Sequence, residues 1–197
     1  MEIKEESGLK FAFPDSTKVI KFDDTMFYRK SFNALPESKG VDFITVAENS
    51  IAFIEVKNCT GAEGDCRWRI FPNNSKKNTS HTNVNLEGRN SLDIEVPQKV
   101  AMTLAALLGA RSFEERKNTV EELEEIQKFI FSKKFTDSEK KKLVILFLEG
   151  DFGGHTRSKE MIMSALQKNI QTKMKWLDCR VSVVDSHTYN EKIFRII

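Results

Sequence analysis

Two carboxylates and a lysine, Asp42, Glu55 and Lys57, have the residue types and the spacing of a metal-dependent hydrolytic site. They lie in two β-rich runs, 41–47 and 50–57, which are separated by two polar residues and therefore predict a β-hairpin with a tight turn. Counting outwards from that turn places Asp42 opposite Glu55, and opposite residues share a face. Because side chains alternate along a strand with a period of two, Lys57 lies on the same face. The three ionisable groups should therefore converge at the open end of the hairpin.

The rest of the hairpin is almost entirely apolar, which makes these charges costly to place there. Neighbouring carboxylates in such a setting repel one another and lose hydration, so they require a compensating cation. Lys57 is one candidate. A hard divalent metal is the other, since two carboxylates, waters and substrate phosphate oxygens make an octahedral Mg²⁺ site in which the ammonium is free to orient a hydroxide nucleophile. The apolar neighbours are Phe43, Ile44, Val46, Ile51, Phe53, Ile54 and Val56.

This arrangement resembles the PD-(D/E)xK nuclease superfamily, the restriction-endonuclease-like phosphodiesterases. Asp42 matches the first acidic residue, and Glu55-Val56-Lys57 matches the (D/E)xK tripeptide on the following strand. The resemblance implies that Asp42 and Glu55 bind Mg²⁺ or Mn²⁺ and that the Val56 carbonyl adds a metal ligand. It also implies that Lys57 positions or activates the attacking water, and that the substrate is nucleic acid, with DNA expected.

The resemblance extends to other parts of the chain. The superfamily core has a helix followed by three strands, a helix and a fourth strand, which is similar to the order of elements predicted below. Some branches add a polar residue from the helix after the third strand; Gln98 or Lys99 suits that place, and Gln98 is assigned to the catalytic set. Others contribute a glutamate ahead of the first motif strand, where Glu37 is available. The chain departs from the pattern with Val41 in place of the eponymous proline and with a long polar loop before the Pro97 helix.

Four basic side chains close to the hairpin in sequence, Arg67, Arg69, Lys76 and Lys77, are the expected nucleic-acid contacts. Lysine and arginine bind backbone phosphates, and an aromatic ring between them would be placed to stack on a base. Trp68 occupies that place, although we expect it to lie in the core. The chain has 31 Lys plus Arg against 29 Asp plus Glu, a net charge of +2, so any nucleic-acid surface must be local.

Other interpretations of the chain stay open. Asp42, Glu55 and Lys57 could form an ordinary solvated salt bridge worth under about 1 kcal/mol. A second alternative is a catalytically inactive member of the fold, serving as a nucleic-acid- or protein-binding module in a defence, repair or mobile-element complex. A third is a docking protein that uses its glutamate-rich segment 112–131. The sequence does not distinguish DNA from RNA, and it leaves a homodimer open, because many enzymes of the superfamily cut duplexes as dimers.

The patterning predicts an α/β fold with a mixed central β-sheet flanked by helices and a restriction-endonuclease-like core. We expect one nuclease-like domain over 1–197, with a helical insertion at about 112–135 and an exposed loop at about 73–90. Pro97 and Gly109 should delimit one helix, and a capping box at Ser112 should open the next. The predicted elements are strands at 9–13, 41–47, 50–57, 67–71, 143–148 and 181–184, and helices at 17–35, 97–108, 112–131 and 158–176.

The composition predicts a cytoplasmic protein. No apolar run approaches the roughly eighteen residues of a membrane span, and the start of the chain is too polar and acidic for a secretory signal. The three cysteines lack paired C-x-x-C spacing, which argues against a disulfide framework and against a zinc site. We therefore expect reduced thiols and no membrane partner.

Overall fold

The structure is a computed structural model that describes residues 1–72, 90–112, 120–153 and 157–197. The α-helices with both ends inside those ranges are α1 (Met26–Lys30), α2 (Glu63–Cys66), α3 (Leu92–Ala110), α4 (Glu124–Ile130), α5 (Lys133–Thr136) and α6 (Lys159–Lys173). The strands are β1 (Glu2–Glu6), β2 (Leu9–Phe13), β3 (Lys18–Lys21), β4 (Phe43–Ala47), β5 (Ser50–Asn58), β6 (Lys141–Glu149), β7 (Arg180–Val184) and β8 (Arg195–Ile196).

The central sheet has five strands in the order β3-β4-β5-β6-β7. The pairs β3–β4 and β4–β5 are antiparallel, whereas β5–β6 and β6–β7 are parallel. Parallel neighbours require a crossover, and α3 and α6 lie in the two connections. The predicted α/β fold with a mixed central sheet is therefore confirmed.

The hairpin prediction is also confirmed, including its register. Ala47 pairs with Ser50 across the two-residue turn, and Phe43 pairs with Ile54 at the far end. The next step outwards sets Asp42 opposite the Glu55 position, as the alternation requires. Strand β6, which lies next to β5 in the sheet, is buried through most of its length, as expected for a covered central strand.

Helices cover one face of the central sheet. The apolar sides of α3, α4 and α6 pack there on the side chains of alternate strand residues, for example Val100 and Leu166 near Phe53 and Val144. Among the described residues, no helix has both the length and the apolar character needed to cross a membrane.

A small second sheet, ordered β1-β2-β8, covers the opposite face. Its aromatic side chains meet those of the central sheet: the ring centroid of Phe11 lies 5.4 Å from those of Phe43 on β4 and Phe147 on β6, and also 5.4 Å from that of Phe194, which precedes β8. Aromatic pairs at these distances add stability beyond the area they bury. Because both faces are covered, a charged side chain on β4 or β5 is buried unless it lies near a strand end.

The prediction of a helix over 17–35 is wrong for the most part. Its first residues form β3, and the α-helical part is limited to α1. Val19 and Ile20 are both buried, but they belong to opposite cores. Successive residues that pack on opposite sides fit a strand between two layers and not one face of a helix.

The segment 67–71, predicted as a strand, is a 3₁₀ turn over Arg67–Ile70. It buries Trp68 and Ile70, which is the alternation that suggested a strand. The segment follows β5 closely, and both edges of β5 are already paired with β4 and β6, so it has no partner strand there. Burial pattern alone does not reveal this.

The helix predicted from Pro97 begins five residues earlier, at Leu92, and contains Pro97 in its second turn. Pro97 has no N–H to bond to the Asp93 carbonyl, yet the helix continues through it to Ala110. Gly109 lies inside the helix, which runs to Ala110, and so does not end it as predicted.

The remaining predictions had mixed outcomes. The strands at 9–13, 143–148 and 181–184 and the helix at 158–176 are present with small shifts of their ends, and Ser158 caps α6. Strands β1 and β8 were not predicted. The predicted insertion at 112–135 is helical over α4 and α5. The capping-box residues beyond Ser112 and residues 73–89 of the predicted loop lie outside the described residues.

Candidate active site

The two carboxylates of the hairpin are buried side by side at the carboxyl end of β5. Asp42 is 5% exposed and Glu55 is fully buried. The Val56 N–H donates a hydrogen bond of 2.6 Å to Asp42 Oδ2, which fixes that carboxylate against β5. The Val56 side chain itself packs among the aromatic residues of the opposite face. The alternation of β5 thus places Glu55 on the face covered by helices, opposite the aromatic cluster.

Two lysine ammonium groups compensate these carboxylates. Lys57 Nζ lies 2.7 Å from Glu55 Oε1. Lys99 Nζ lies 2.7 and 2.8 Å from the two oxygens of Glu55 and 3.5 Å from Asp42 Oδ1, so it bridges the pair. The structure therefore brings together Asp42, Glu55 and Lys57, and it adds a lysine from α3.

Gln98, the residue assigned from α3, is not brought to the carboxylates. Its side chain is exposed, and its Oε1 accepts a hydrogen bond of 3.0 Å from Asn90 Nδ2. The next residue, Lys99, points inwards because successive helix residues are about 100° apart around the axis. Glu37, the glutamate considered ahead of the first motif strand, is exposed in a loop.

Sequence reasoning missed a second ion-pair layer formed by Glu95 and Arg69. Glu95 Oε1 lies 3.6 Å from Lys57 Nζ, and its Oε2 accepts a hydrogen bond from the Arg69 guanidinium. Glu95 and Lys99 are one turn apart on α3, a spacing that places both on one face. This signal was hidden because the helix was predicted to begin at Pro97.

A group of three carboxylates extends the site towards the first strand. Oxygens of Glu6, Asp23 and Asp42 all lie within 4.8 Å of one another. Lys21 Nζ pairs with Glu6 Oε2 at 2.9 Å, whereas the buried Asp23 Oδ1 has no hydrogen-bond partner among the described residues. The sequence held no sign of this group, because Glu6 belongs to the small sheet, which was not predicted.

The electrostatics of the site follow from burial and charge. Burial, and next the adjacent Glu55 carboxylate, raise the pKa of Asp42 to about 7, and the nearby lysines offset this only in part. Burial also raises the pKa of Asp23. For Lys99, burial acts against the charged form, but Glu55 and Asp42 outweigh it and hold its pKa above the ordinary value. For Glu95, burial is similarly outweighed, by Lys57 and then by the Arg69 guanidinium, and its pKa is lowered.

The predicted nucleic-acid contacts differ in their exposure and in whether the structure describes them. Arg67 is exposed, whereas Arg69 is partly buried and paired with Glu95. Trp68 is buried, as expected for a core residue. Lys76 and Lys77 lie outside the described residues.

The donor set at this site suits a hard cation, because all of its acidic groups offer carboxylate oxygens. Asp42 is central: it borders Glu55 on one side and the Glu6–Asp23 group on the other. In comparisons with known proteins, no curated protein and no solved structure matches the chain. A family model matches residues 25–197, a range that includes Asp42, Glu55 and α3 but not Glu6 or Asp23. The chain thus belongs to that family, which is described as a family of unknown function (DUF6661).

Proposed function

We propose that the protein is a metal-dependent phosphodiester hydrolase of the PD-(D/E)xK type, acting on nucleic acid and specifically on DNA. The observation that carries this proposal is the convergence of buried Asp42 and Glu55 with Lys57 at the end of β5. A solvated salt bridge would leave these groups exposed. A fully buried glutamate paired with two lysines instead has a desolvation cost. That cost favours a functional role or a bound cation as the reason for the arrangement.

The topology supports a restriction-endonuclease-like core. If α1, α2, α4 and α5 are taken as additions to the core, the order β3-β4-β5-α3-β6 matches three strands, a helix and a fourth strand, with the matched acidic residues on the second and third of those strands or next to them. One departure is that among the described residues β1 and β2 precede β3, where the superfamily pattern has a helix. Residues 73–89, for which the sequence predicts a loop, come between β5 and α3 in the chain and lie outside the described residues.

Mg²⁺ or Mn²⁺ is the cofactor we propose, held by Asp42 and Glu55, with the Val56 carbonyl assigned by resemblance. Asp23 and Glu6 are further carboxylates within reach of Asp42. The fit rests on hard oxygen donors and on the buried Asp23 Oδ1, a carboxylate oxygen with no hydrogen-bond partner among the described residues. When bound, such a cation lowers the pKa of a water and polarises the scissile phosphate.

We assign to Lys57 the positioning or activation of the attacking water. Its side chain is 19% exposed, and its Nζ lies 2.7 Å from Glu55 Oε1 and 3.6 Å from Glu95 Oε1. An ammonium has three N–H donors, so Lys57 can orient a water or contact a phosphate oxygen while it stays paired with Glu55. Lys99 acts differently: it neutralises Glu55 and Asp42 from the helix side and keeps both carboxylates in place.

A second candidate function, a binding module without catalysis, is favoured by one specific observation. Lys99 Nζ lies within 2.8 Å of both Glu55 oxygens, so the carboxylate pair is already neutralised by the chain itself. An inactive member of the fold would be stabilised in this way without any metal. The two candidates differ in whether a divalent cation binds and whether a phosphodiester is cut.

The deciding experiment is cleavage of plasmid, linear duplex, single-stranded DNA and RNA with Mg²⁺, Mn²⁺ or EDTA. Glu55→Gln and Asp42→Asn should abolish turnover. Glu139→Gln is the matched control, since this exposed glutamate precedes β6 at the opposite edge of the sheet. Metal-dependent cutting that Glu55→Gln leaves at the wild-type rate would refute the assignment, and Mn²⁺ binding without cutting would favour the binding module.

A further inference from the structure

A cavity of about 390 Å³ opens beside the turn that follows α2, separate from the carboxylate network. Buried apolar side chains, including Ile70 and Phe152, form part of its wall. Three exposed or half-exposed side chains also line it: Arg67 and Arg157 carry positive charge, and Phe71 has half of its surface in solvent. The cavity therefore combines an apolar wall, an accessible aromatic ring and two guanidinium groups.

A ligand that suits these walls is planar and apolar on its faces and carries negative charge at its edge. A nucleotide has that chemistry, because its base stacks on aromatic and guanidinium planes while its phosphates pair with arginine. We propose that this cavity binds an unpaired base of single-stranded DNA, with Arg67 and Arg157 on the adjoining phosphates. The inference rests on the proposed function, and it deepens it by naming the strandedness of the substrate.

The position of the cavity relative to the carboxylates supports this assignment. Because β5 and β6 are parallel, their carboxyl ends lie at the same edge of the sheet. Lys57 is near the end of β5, and Phe152 follows shortly after the end of β6. A chain of contacts also joins the two places, since Lys57 pairs with Glu95, and Glu95 pairs with Arg69 in the same turn as Arg67. One DNA strand could therefore lie across both.

The size of the cavity favours a single base over a duplex. Pockets of roughly 300 to 1,000 Å³ enclose one small molecule, and 390 Å³ is at the lower end of that range. A base inside a duplex is stacked and paired, so it reaches such a pocket only after unpairing, which has a free-energy cost. A strand that is already single avoids that cost. We therefore expect single-stranded DNA to bind more tightly than the matching blunt duplex.

The test is binding of a labelled single-stranded oligonucleotide and of its blunt duplex to the full chain, measured by fluorescence anisotropy in EDTA at one fixed salt concentration. The variants are Phe71→Ala, Arg67→Ala and Arg157→Ala. Arg180→Ala is the matched control, because this exposed arginine begins β7 at the opposite edge of the sheet. Thermal unfolding of each variant checks that it folds.

We expect Phe71→Ala to weaken single-strand binding by about 5-fold to 150-fold, the range measured for loss of one stacked base, while Arg180→Ala stays close to wild type. The two arginine variants should weaken binding and reduce its salt dependence. Equal affinity for single strand and duplex, or pocket variants that bind like Arg180→Ala, would overturn the inference, as would a wild-type chain that binds neither. The binding assay needs neither metal nor cleavage. A protein that binds single strands but cuts no nucleic acid would therefore refute the proposed hydrolase activity and leave the inference about the cavity supported.

Discussion

The replacement Asp42→Asn should make the metal-free protein more stable. The amide is nearly the same size as the carboxylate, and its oxygen can still accept the hydrogen bond from Val56 N–H. What the variant removes is the charge of a 95% buried group that faces Glu55, and Lys99 retains both oxygens of Glu55 as partners. On the other side of Asp42 lie the carboxylates of Glu6 and Asp23, of which Glu6 is paired with Lys21.

The magnitude follows from the pKa. Asp42 has a pKa of about 7 in the folded protein, against 3.8 for an unperturbed aspartate. A carboxyl with a raised folded pKa binds more protons folded than unfolded, so its contribution to the free energy of unfolding falls as the pH rises from about 4 to about 7. Complete ionisation therefore destabilises the fold by at most ~4 kcal/mol. Because the amide also needs burial and Lys99 loses one contact, we expect a gain of about 1–3 kcal/mol near pH 8 and a smaller one near pH 5.

The assay is urea unfolding in EDTA at both pH values, with Asp65→Asn as the control for an exposed aspartate. A second measurement adds Mn²⁺: the wild-type protein should gain stability by the binding free energy, about 2.7 kcal/mol at a hundredfold excess over Kd, and Asp42→Asn should gain much less. The reasoning is refuted if Asp42→Asn is less stable than wild type near pH 8, or if its effect is the same at both pH values.

Three further changes test other parts of the structure. Lys99→Met leaves Glu55 and Asp42 without their bridging cation, so unfolding in EDTA near pH 8 should show a loss of about 3 kcal/mol that Mn²⁺ partly restores. Glu95→Gln releases Arg69 and one contact of Lys57, so steady-state cleavage should show a lower kcat with the fold retained, and an unchanged kcat would contradict the assigned role. Phe194→Ala removes a ring packed against three other phenylalanines, and chemical unfolding should show a loss of about 3–5 kcal/mol.

The sequence was sufficient for those parts of the fold that local pattern determines. The hairpin and its register followed from β-rich runs and a two-residue turn, and that register alone placed Asp42 opposite Glu55. The central strand β6 and helix α6 followed from an apolar run and an amphipathic pattern.

The parts that failed depend on tertiary contacts. Segment 67–71 has a strand-like alternation, but it follows β5, whose two edges are already paired with β4 and β6. Glu6 reaches Asp42 only because the small sheet packs over the hairpin, whereas Asp23 lies in the turn after β3, the strand that pairs with β4. A proline inside α3 hid the turn that carries Glu95, so the second layer of ion pairs had no visible pattern.

The charges of the site suggest how substrate and cation would depend on each other. Three carboxylates, on Asp42, Glu55 and Glu95, face three cationic groups from Lys57, Lys99 and Arg69, and beside Asp42 the carboxylates of Glu6 and Asp23 face Lys21 alone, so the fully ionised site carries a formal charge of −1. A site with that charge gives a phosphodiester no net electrostatic attraction. A divalent cation would raise the formal charge to +1 and would also favour ionised Asp42, because an adjacent positive charge lowers a carboxyl pKa. Substrate affinity at the carboxylates should therefore rise when Mn²⁺ is added, whereas affinity at the Arg67–Arg157 cavity should not.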